Sequence, residues 1–246
     1  MTLEQAIDVR RSRRKYLGTP LPQTVISKLQ ELIETYNKPG SFRMVLVTGD
    51  GKGFNGVTKS YGMLSGVNDY IGLIADKGDE TAVEQLGYYG ELIMLHAVAL
   101  GLGTCWVGGS FRRSDMPFAL AEREWLVCTI TVGNVDEADS ARERFIQKIT
   151  HRKTKPITDM FTSDVPVPAW FMQGMQAVQK APSAMHKQPV LFTYEDGEVR
   201  ASVGRLGKGL RDTMTALDLG IAKLHFELGV GGGTWAWGND GVFGLE

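Results

Sequence analysis

Two stretches of this chain resemble each other: LHAVALGLGTCW at residues 95–106 and LHFELGVGGGTWAW at residues 224–237. Each places Leu-His late in an apolar helical run, followed by Leu-Gly, a glycine-rich exit, Gly-Thr and tryptophan. The spacing slips by one residue between Leu-His and Leu-Gly, so two unrelated buried helices that both end in glycine are the alternative to a duplication. The surroundings favour duplication, because each half runs helix, strand pair, core helix, glycine exit, strand. The chain is therefore expected to be α+β, with two repeated α/β halves around buried core helices. Residues 1–160 form the first half and 161–246 a second, shorter one. A length of 246 residues fits one large domain or two intimate lobes.

The elements follow from periodicity and punctuation. Thr2 with Gln5 three residues on reads as a capping box for a short helix over 2–9. VISKLQELIETY (25–36) has apolar residues at helical spacing and stops before Pro39 and Gly40. FRMVLVTG and YIGLIAD read as strands, separated by an aperiodic, glycine-rich loop at 49–68. The helix over 81–100 is apolar nearly all round towards its end, which places it in the interior. TCWVGG reads as a short strand or turn. A short helix near 114–121 leads to WLVCTITVG, a strand buried on both faces, and 136–160 is a charged connector. In the second half, Phe171, Met175 and Val178 give a helix that must stop before Pro182. Asp-Gly in PVLFTYEDGEVRASV marks a hairpin, and Met214, Leu217, Ile221, Leu224 and Leu228 mark a second core helix. Short aromatic strands end the chain.

Composition narrows the function. The net charge is −1, with 22% charged residues, so there is no global electrostatic case for nucleic acid or membrane partners. The most apolar run, LIMLHAVALGL (92–102), is too short to span a bilayer and holds a histidine. Cys105 and Cys128 have neither metal nor CxxC spacing and lie in apolar contexts, so buried thiols in a reducing cytoplasm are expected. The N-terminus lacks the apolar core of a signal peptide. No HExxH, Walker loop, nucleophile triad or metal cluster is present, so in an enzyme a cofactor would carry the chemistry.

Three segments could hold such a cofactor. The run Arg10, Arg11, Ser12, Arg13, Arg14 sets four guanidinium groups and a hydroxyl within five residues, a set suited to phosphate; a solvated charge run is the plain alternative. APSAMHKQPV (181–190) combines the rigid Pro182, the hydroxyl of Ser183 and the small Ala184 with His186 and Gln188, which can hydrogen-bond a ring edge. Small side chains there let the backbone approach a flat ligand, although a helix stop and loop would look the same. Trp106-Val107-Gly108-Gly109 offers backbone N–H groups where glycine permits close approach. In the loop at 49–68, Phe54 and Tyr61 are candidate stacking groups of a lid, with simple packing as the alternative.

Taken together, RRSRRKY (10–16), ALGLGTCWVGG, APSAMHKQPV and HRKTKPITDMF (151–161) resemble the FMN-dependent nitroreductase family. The resemblance implies a nitroreductase-like α+β fold, usually a homodimer with two FMN sites at the subunit interface. Each half of this chain lacks what the other has. YNKPGSFRMVLV stands where the first half would carry a proline–serine segment, and PVPAWFM stands where the second would carry an arginine run. The chain thus resembles a tandem branch in which one polypeptide forms an internal pseudo-dimer and needs no second copy, without forbidding one. By the same resemblance Arg10 and Ser12 hold the phosphate and ribityl chain of FMN, in a run that also supplies Arg11, and Arg14 reaches the pyrimidine edge. Pro182, Ser183 and Ala184 line the ring, with His186 and Gln188 beside them. Gly108 and Gly109 present backbone N–H groups near flavin N5, with Val107 beside them in the cofactor site, and Arg152 is a further phosphate ligand. His186 departs from the family's usual asparagine. The implied activity passes hydride from NADH or NADPH through FMN to a small-molecule acceptor by a ping-pong route. A flavin-binding carrier or sensor that does not turn over is the alternative.

Overall fold

A computed structural model describes residues 1–38, 41–55, 63–140, 143–144, 153–204 and 210–245. Thr2 and Gln5 exchange the two hydrogen bonds of the capping box (3.3 and 3.0 Å) and start α1, Leu3–Val9. Pro22 fixes the entry to α2, Gln23–Tyr36, which buries Leu29 and Ile33. The remaining elements are β1 Phe42–Val47, β2 Asp69–Asp76, α3 Glu80–Ala99, β3 Gly103–Val107, β4 Glu124–Gly133, β5 Phe161–Ser163, α4 Ala169–Lys180, β6 Leu191–Glu195, β7 Glu198–Ser202, α5 Leu210–Val230, β8 Thr234–Trp235 and β9 Gly241–Gly244. They form two compact units, one of residues 1–77 with 93–151 and one of 78–92 with 152–246.

The first unit holds a four-stranded antiparallel sheet in the order β1-β2-β4-β3. β4 is buried at every position from Leu126 to Gly133, which is why its sequence is continuously apolar rather than alternating. At the outer edge Asn37 spans Met44, accepting from its N–H (2.7 Å) and donating to its C=O (3.1 Å). An amide so placed occupies backbone groups that could otherwise pair with another strand. Phe54 is fully buried against Tyr70 and Phe111, at ring distances of 4.8 and 5.7 Å, so it is a core residue and not part of a lid. Tyr61 lies outside the described residues. The helix expected near 114–121 is only a 3-10 turn at Arg113–Asp115. Pro117 is the reason, since it drives Met116 out of the helical region (φ −79°, ψ 132°).

The second unit's sheet runs β5-β6-β7-β9-β8, antiparallel except for β5, which pairs parallel to β6. Asp196 (φ 51°) and Gly197 (φ 82°) turn the β6–β7 hairpin through the left-handed region, as expected of Asp-Gly. β5 lies just beyond the charged connector expected over 136–160, where the sequence marks no strand, because three residues of mixed polarity give no periodic signal. Leaving it aside, β6-β7-β9-β8 repeats the order β1-β2-β4-β3, and in both sheets the long helix lies between the second and third strands of the chain.

Aromatic rings fill the core here, with Phe226 of α5 stacked on Phe192 (5.1 Å) and edge-on to Phe243 (5.2 Å). Residues 80–92 of α3 meet α5 backbone to backbone. A Cβ on Gly87 would press on Leu217 C=O, and one on Gly220 on Glu84 C=O. At this crossing Lys223 is fully buried, donating to Glu84 Oε1 and to the carbonyls of Ala236 and Gly238, both at 2.9 Å. His225 sits between Glu91 Oε1 (3.0 Å) and Ala177 C=O (3.1 Å).

Candidate functional site

In the first unit the arginine run leaves α1 as an extended segment stitched on both sides. Ser12 bridges Thr104 of β3, and Arg13 N–H donates to Thr104 C=O at 2.8 Å. On the other side Ser65 N–H donates to Arg14 C=O (3.0 Å), and Tyr16 N–H to Ser65 C=O (2.9 Å). Successive side chains of an extended segment point to opposite faces, and this alternation divides the arginines.

Arg11 and Arg13 turn towards the acidic connector. Arg11 donates to Glu137 C=O (2.7 Å) and pairs with Asp139 (3.4 Å). Arg13 is buried, paired with Glu143 (3.2 Å) and Asp139 (3.4 Å), and donates to Asp136 C=O (2.8 Å). Glu143 is the centre of this network. Its Oε1 accepts from Arg13 Nε and the N–H groups of Arg14 (2.8 Å) and Lys15 (3.1 Å), and its Oε2 from Ser140 N–H and Oγ, both at 2.9 Å. Burial alone would raise the Glu143 carboxyl, but the Arg14, Ser140 and Lys15 N–H groups and the Arg13 side chain override it and hold it at about 2.

Arg10, Ser12 and Arg14 share the other face, where all three act on the buried Cys105 thiol. Burial raises that thiol, while Arg14, the Ser12 hydroxyl and Arg10 oppose the rise. Arg14 is half-buried and pairs with no carboxylate among the described residues; its Nη1 donates to Ser12 C=O at 3.4 Å. β3, which carries Thr104, runs on to Gly108 and Gly109, so the structure brings the arginine segment and the glycine exit onto one strand pair. Neither glycine N–H meets a protein acceptor among the described residues, and a Cβ on Gly109 would meet open space. The Val107 side chain is buried in the core, which leaves only its backbone for a ligand. Arg152 lies outside the described residues.

In the second unit α4 ends at Lys180, and Pro182–Gln188 make a loop with three non-glycine residues in the left-handed region: Met185 (φ 56°), His186 (φ 51°) and Gln188 (φ 48°). Such conformations cost roughly 1–3 kcal/mol each and persist only where surrounding bonds enforce them. Those bonds are present. Gln188 N–H donates to Ser183 Oγ (2.9 Å), Gln188 Oε1 accepts Lys155 N–H (2.8 Å), Gln188 Nε2 donates to Gln179 C=O (3.0 Å), and Lys155 Nζ donates to Gln188 C=O (2.9 Å). Gln188, expected at a ring edge, is therefore buried and engaged at both ends in holding the loop. His186 Nε2 lies 3.2 Å from Thr154 Oγ1. Pro182, Ser183 and Ala184 remain partly exposed, and Met185 at the apex is 69% exposed.

Sequence reasoning missed Asp218. It lies on the buried stripe of α5, and its two oxygens accept the Ala184 N–H at 2.9 and 3.2 Å. An aspartate between Leu217 and Ile221 on a core stripe was the available signal. Burial raises this carboxyl to about 7, against the opposing pull of Ala184 N–H and Lys187.

Among the described residues no three His, Cys, Asp or Glu side chains form a metal-binding group, and no helix is long and apolar enough to cross a membrane. No curated protein matches the chain. The crystal structure of a "putative nitroreductase" from Thermotoga maritima aligns over 99% of this chain and 92% of its own, with a TM-score of 0.61 at 20% identity. A second "putative nitroreductase", from Desulfovibrio desulfuricans and solved in complex with FMN, aligns over 68% of this chain and 99% of its own, with a TM-score of 0.51 at 20% identity. At such identities the likeness is one of fold. Residues 2–230 match the profile of a family described as "Putative TM nitroreductase". The chain belongs to that nitroreductase family, with its mixed α+β fold.

Proposed function

We propose that the protein is an FMN-dependent oxidoreductase in which NADH or NADPH reduces the flavin and a small oxidised acceptor reoxidises it. The observation that carries this reading is the division of the arginine run. Arg11 and Arg13 are taken up by the acidic connector, while Ser12 and Arg14 lie with Arg10 on the opposite face of the segment, which runs along β3 towards Gly108 and Gly109, whose N–H groups meet no protein acceptor among the described residues. Two guanidinium groups, a hydroxyl and backbone donors suit a phosphorylated ligand with an electron-accepting ring. In this reading Arg10 and Ser12 hold the phosphate and ribityl chain, Arg14 lies at the pyrimidine edge, and the glycine N–H groups lie near N5. Pro182, Ser183 and Ala184 line the ring, and Arg152 adds to the phosphate site. The flavin supplies the hydride chemistry when bound; the protein binds it, orients it and presents positive charge to it.

The chain is, in the same reading, a tandem pseudo-dimer carrying one FMN. The repeated strand order supports the duplication. So does the fate of Gly238, which follows Gly233-Thr234 as Gly108 follows Gly103-Thr104. Its N–H already donates to Glu84 Oε2 at 2.7 Å, so the second copy of this donor is closed to a ligand. The test is the absorbance spectrum of the purified protein after incubation with FMN and removal of excess, then anaerobic addition of NADH or NADPH. One flavin per chain, bleached by a nicotinamide, is expected, with parallel double-reciprocal plots in turnover. Protein that takes up no FMN refutes the reading; two per chain refutes the single site. Flavin that neither donor bleaches identifies a carrier.

A further inference from the structure

Asp218 is 5% exposed, and Ala184 N–H is the only hydrogen-bond donor it meets among the described residues. A carboxylate has about four lone-pair sites, so this one is under-satisfied for a charged group. It borders a cavity of about 10 Å³, room for one water, walled largely by Val178, Ala181, Val190 and Ala222. Val178 of α4, Ala222 of α5 and the flanking Ala181 and Val190 are apolar, Ser183 and Gln188 add uncharged polar groups, and Lys187 is the charged group among the described residues that acts on the carboxylate. The loop 183–188, with its three left-handed residues, packs on Asp218 through Ala184, and its Ser183 and Gln188 line the same cavity. Charge on Asp218 gains by hydration, which favours opening only on ionisation, while relief of the loop's strain favours opening at any pH and keeps the closed form easy to unseat.

We propose that Asp218 is a positioning residue that latches the loop 183–188: neutral, it lies buried under the closed loop at no cost in charge hydration, and ionised, its gain in hydration outweighs its bonds to the loop and lets the loop open, so that flavin binding by Pro182, Ser183 and Ala184 follows its protonation. The flavin part rests on the FMN reading above; the latch does not. The near-neutral position of the carboxyl puts the change in an accessible range. Because burial raises it, the closed form is favoured at low pH and loses ground as pH rises towards 7, by at most about tenfold per pH unit.

Amide hydrogen exchange of residues 181–190, corrected for intrinsic rates, reads the latch without flavin. Between pH 5.5 and 8 the wild-type opening equilibrium should rise about tenfold or more. Asp218→Asn, which keeps an acceptor for Ala184 but does not titrate, should be flat. A wild-type loop with unchanged protection overturns the latch, and needs no variant to do so; a variant that tracks the wild type overturns it as well. FMN titrations over the same range read the coupling. Wild-type affinity should weaken about tenfold relative to Asp218→Asn, and parallel curves overturn that part, the ionisation of the FMN phosphate being common to both. A wild type that binds no FMN at any pH refutes the FMN reading while the exchange result still decides the latch.

Discussion

Replacing Glu143 by glutamine tests how the arginine segment is held. Glu143 is 1% exposed and its carboxylate accepts five donors, three of them from the segment Arg13–Lys15. An amide of the same shape can accept at only one of its two positions, and it leaves the buried Arg13 with Asp139 at 3.4 Å as its remaining carboxylate. A carboxyl lowered from 4.5 to about 2 favours folding by about 3 kcal/mol when charged. Removing one partner of a buried, hydrogen-bonded ion pair costs roughly 3–5 kcal/mol, which agrees. The sign follows from the lowered carboxyl: this stability is fully present above the unfolded value near 4.5 and is lost as pH falls towards 2. Urea unfolding at pH 7 should therefore separate wild type from Glu143→Gln by about 3 kcal/mol, and at pH 3 by less than half of that. A gap under about 1 kcal/mol at pH 7, or an equal gap at both pH values, would show that Glu143 is not the anchor described.

Three further outcomes are expected. Arg14→Ala should weaken FMN binding by roughly one to two orders of magnitude with little change in unfolding midpoint, whereas Arg11→Ala should leave FMN affinity nearly unchanged; flavin fluorescence titration and thermal melts separate the two. Lys223→Met should cost roughly 3–5 kcal/mol by stranding Glu84, and pairing it with Glu84→Gln should recover part of that loss in chemical denaturation. At pH 8, Asp218→Asn should be more stable than wild type by on the order of 2–4 kcal/mol, with the gap closing towards pH 4, because a raised carboxyl contributes stability below its unfolded value and loses it as pH climbs to about 7.

The local elements were legible along the chain. Capping chemistry placed α1, periodicity placed α2, α4 and α5, and Asp196-Gly197 placed the β6–β7 hairpin, because each depends on a few neighbouring residues. The apolar run of α3 and the likeness of its exit to that of α5 were also local. Which arginines turn to Glu143 and its neighbours and which lie on the opposite face could not be read along the chain, since that choice depends on partners more than a hundred residues away. The same holds for Gln188, whose amide looks free in APSAMHKQPV and is spent on Lys155 and Gln179. It holds for Phe54 in the core, for β5, which is a strand only because β6 lies beside it, and for the partner of Asp218, whose place on a core stripe is visible in sequence while its bond to Ala184 N–H is not. Hydrogen bonds and burial act between residues that folding brings together, so the chemistry of this surface belongs to the fold even though its vocabulary can be read along the chain.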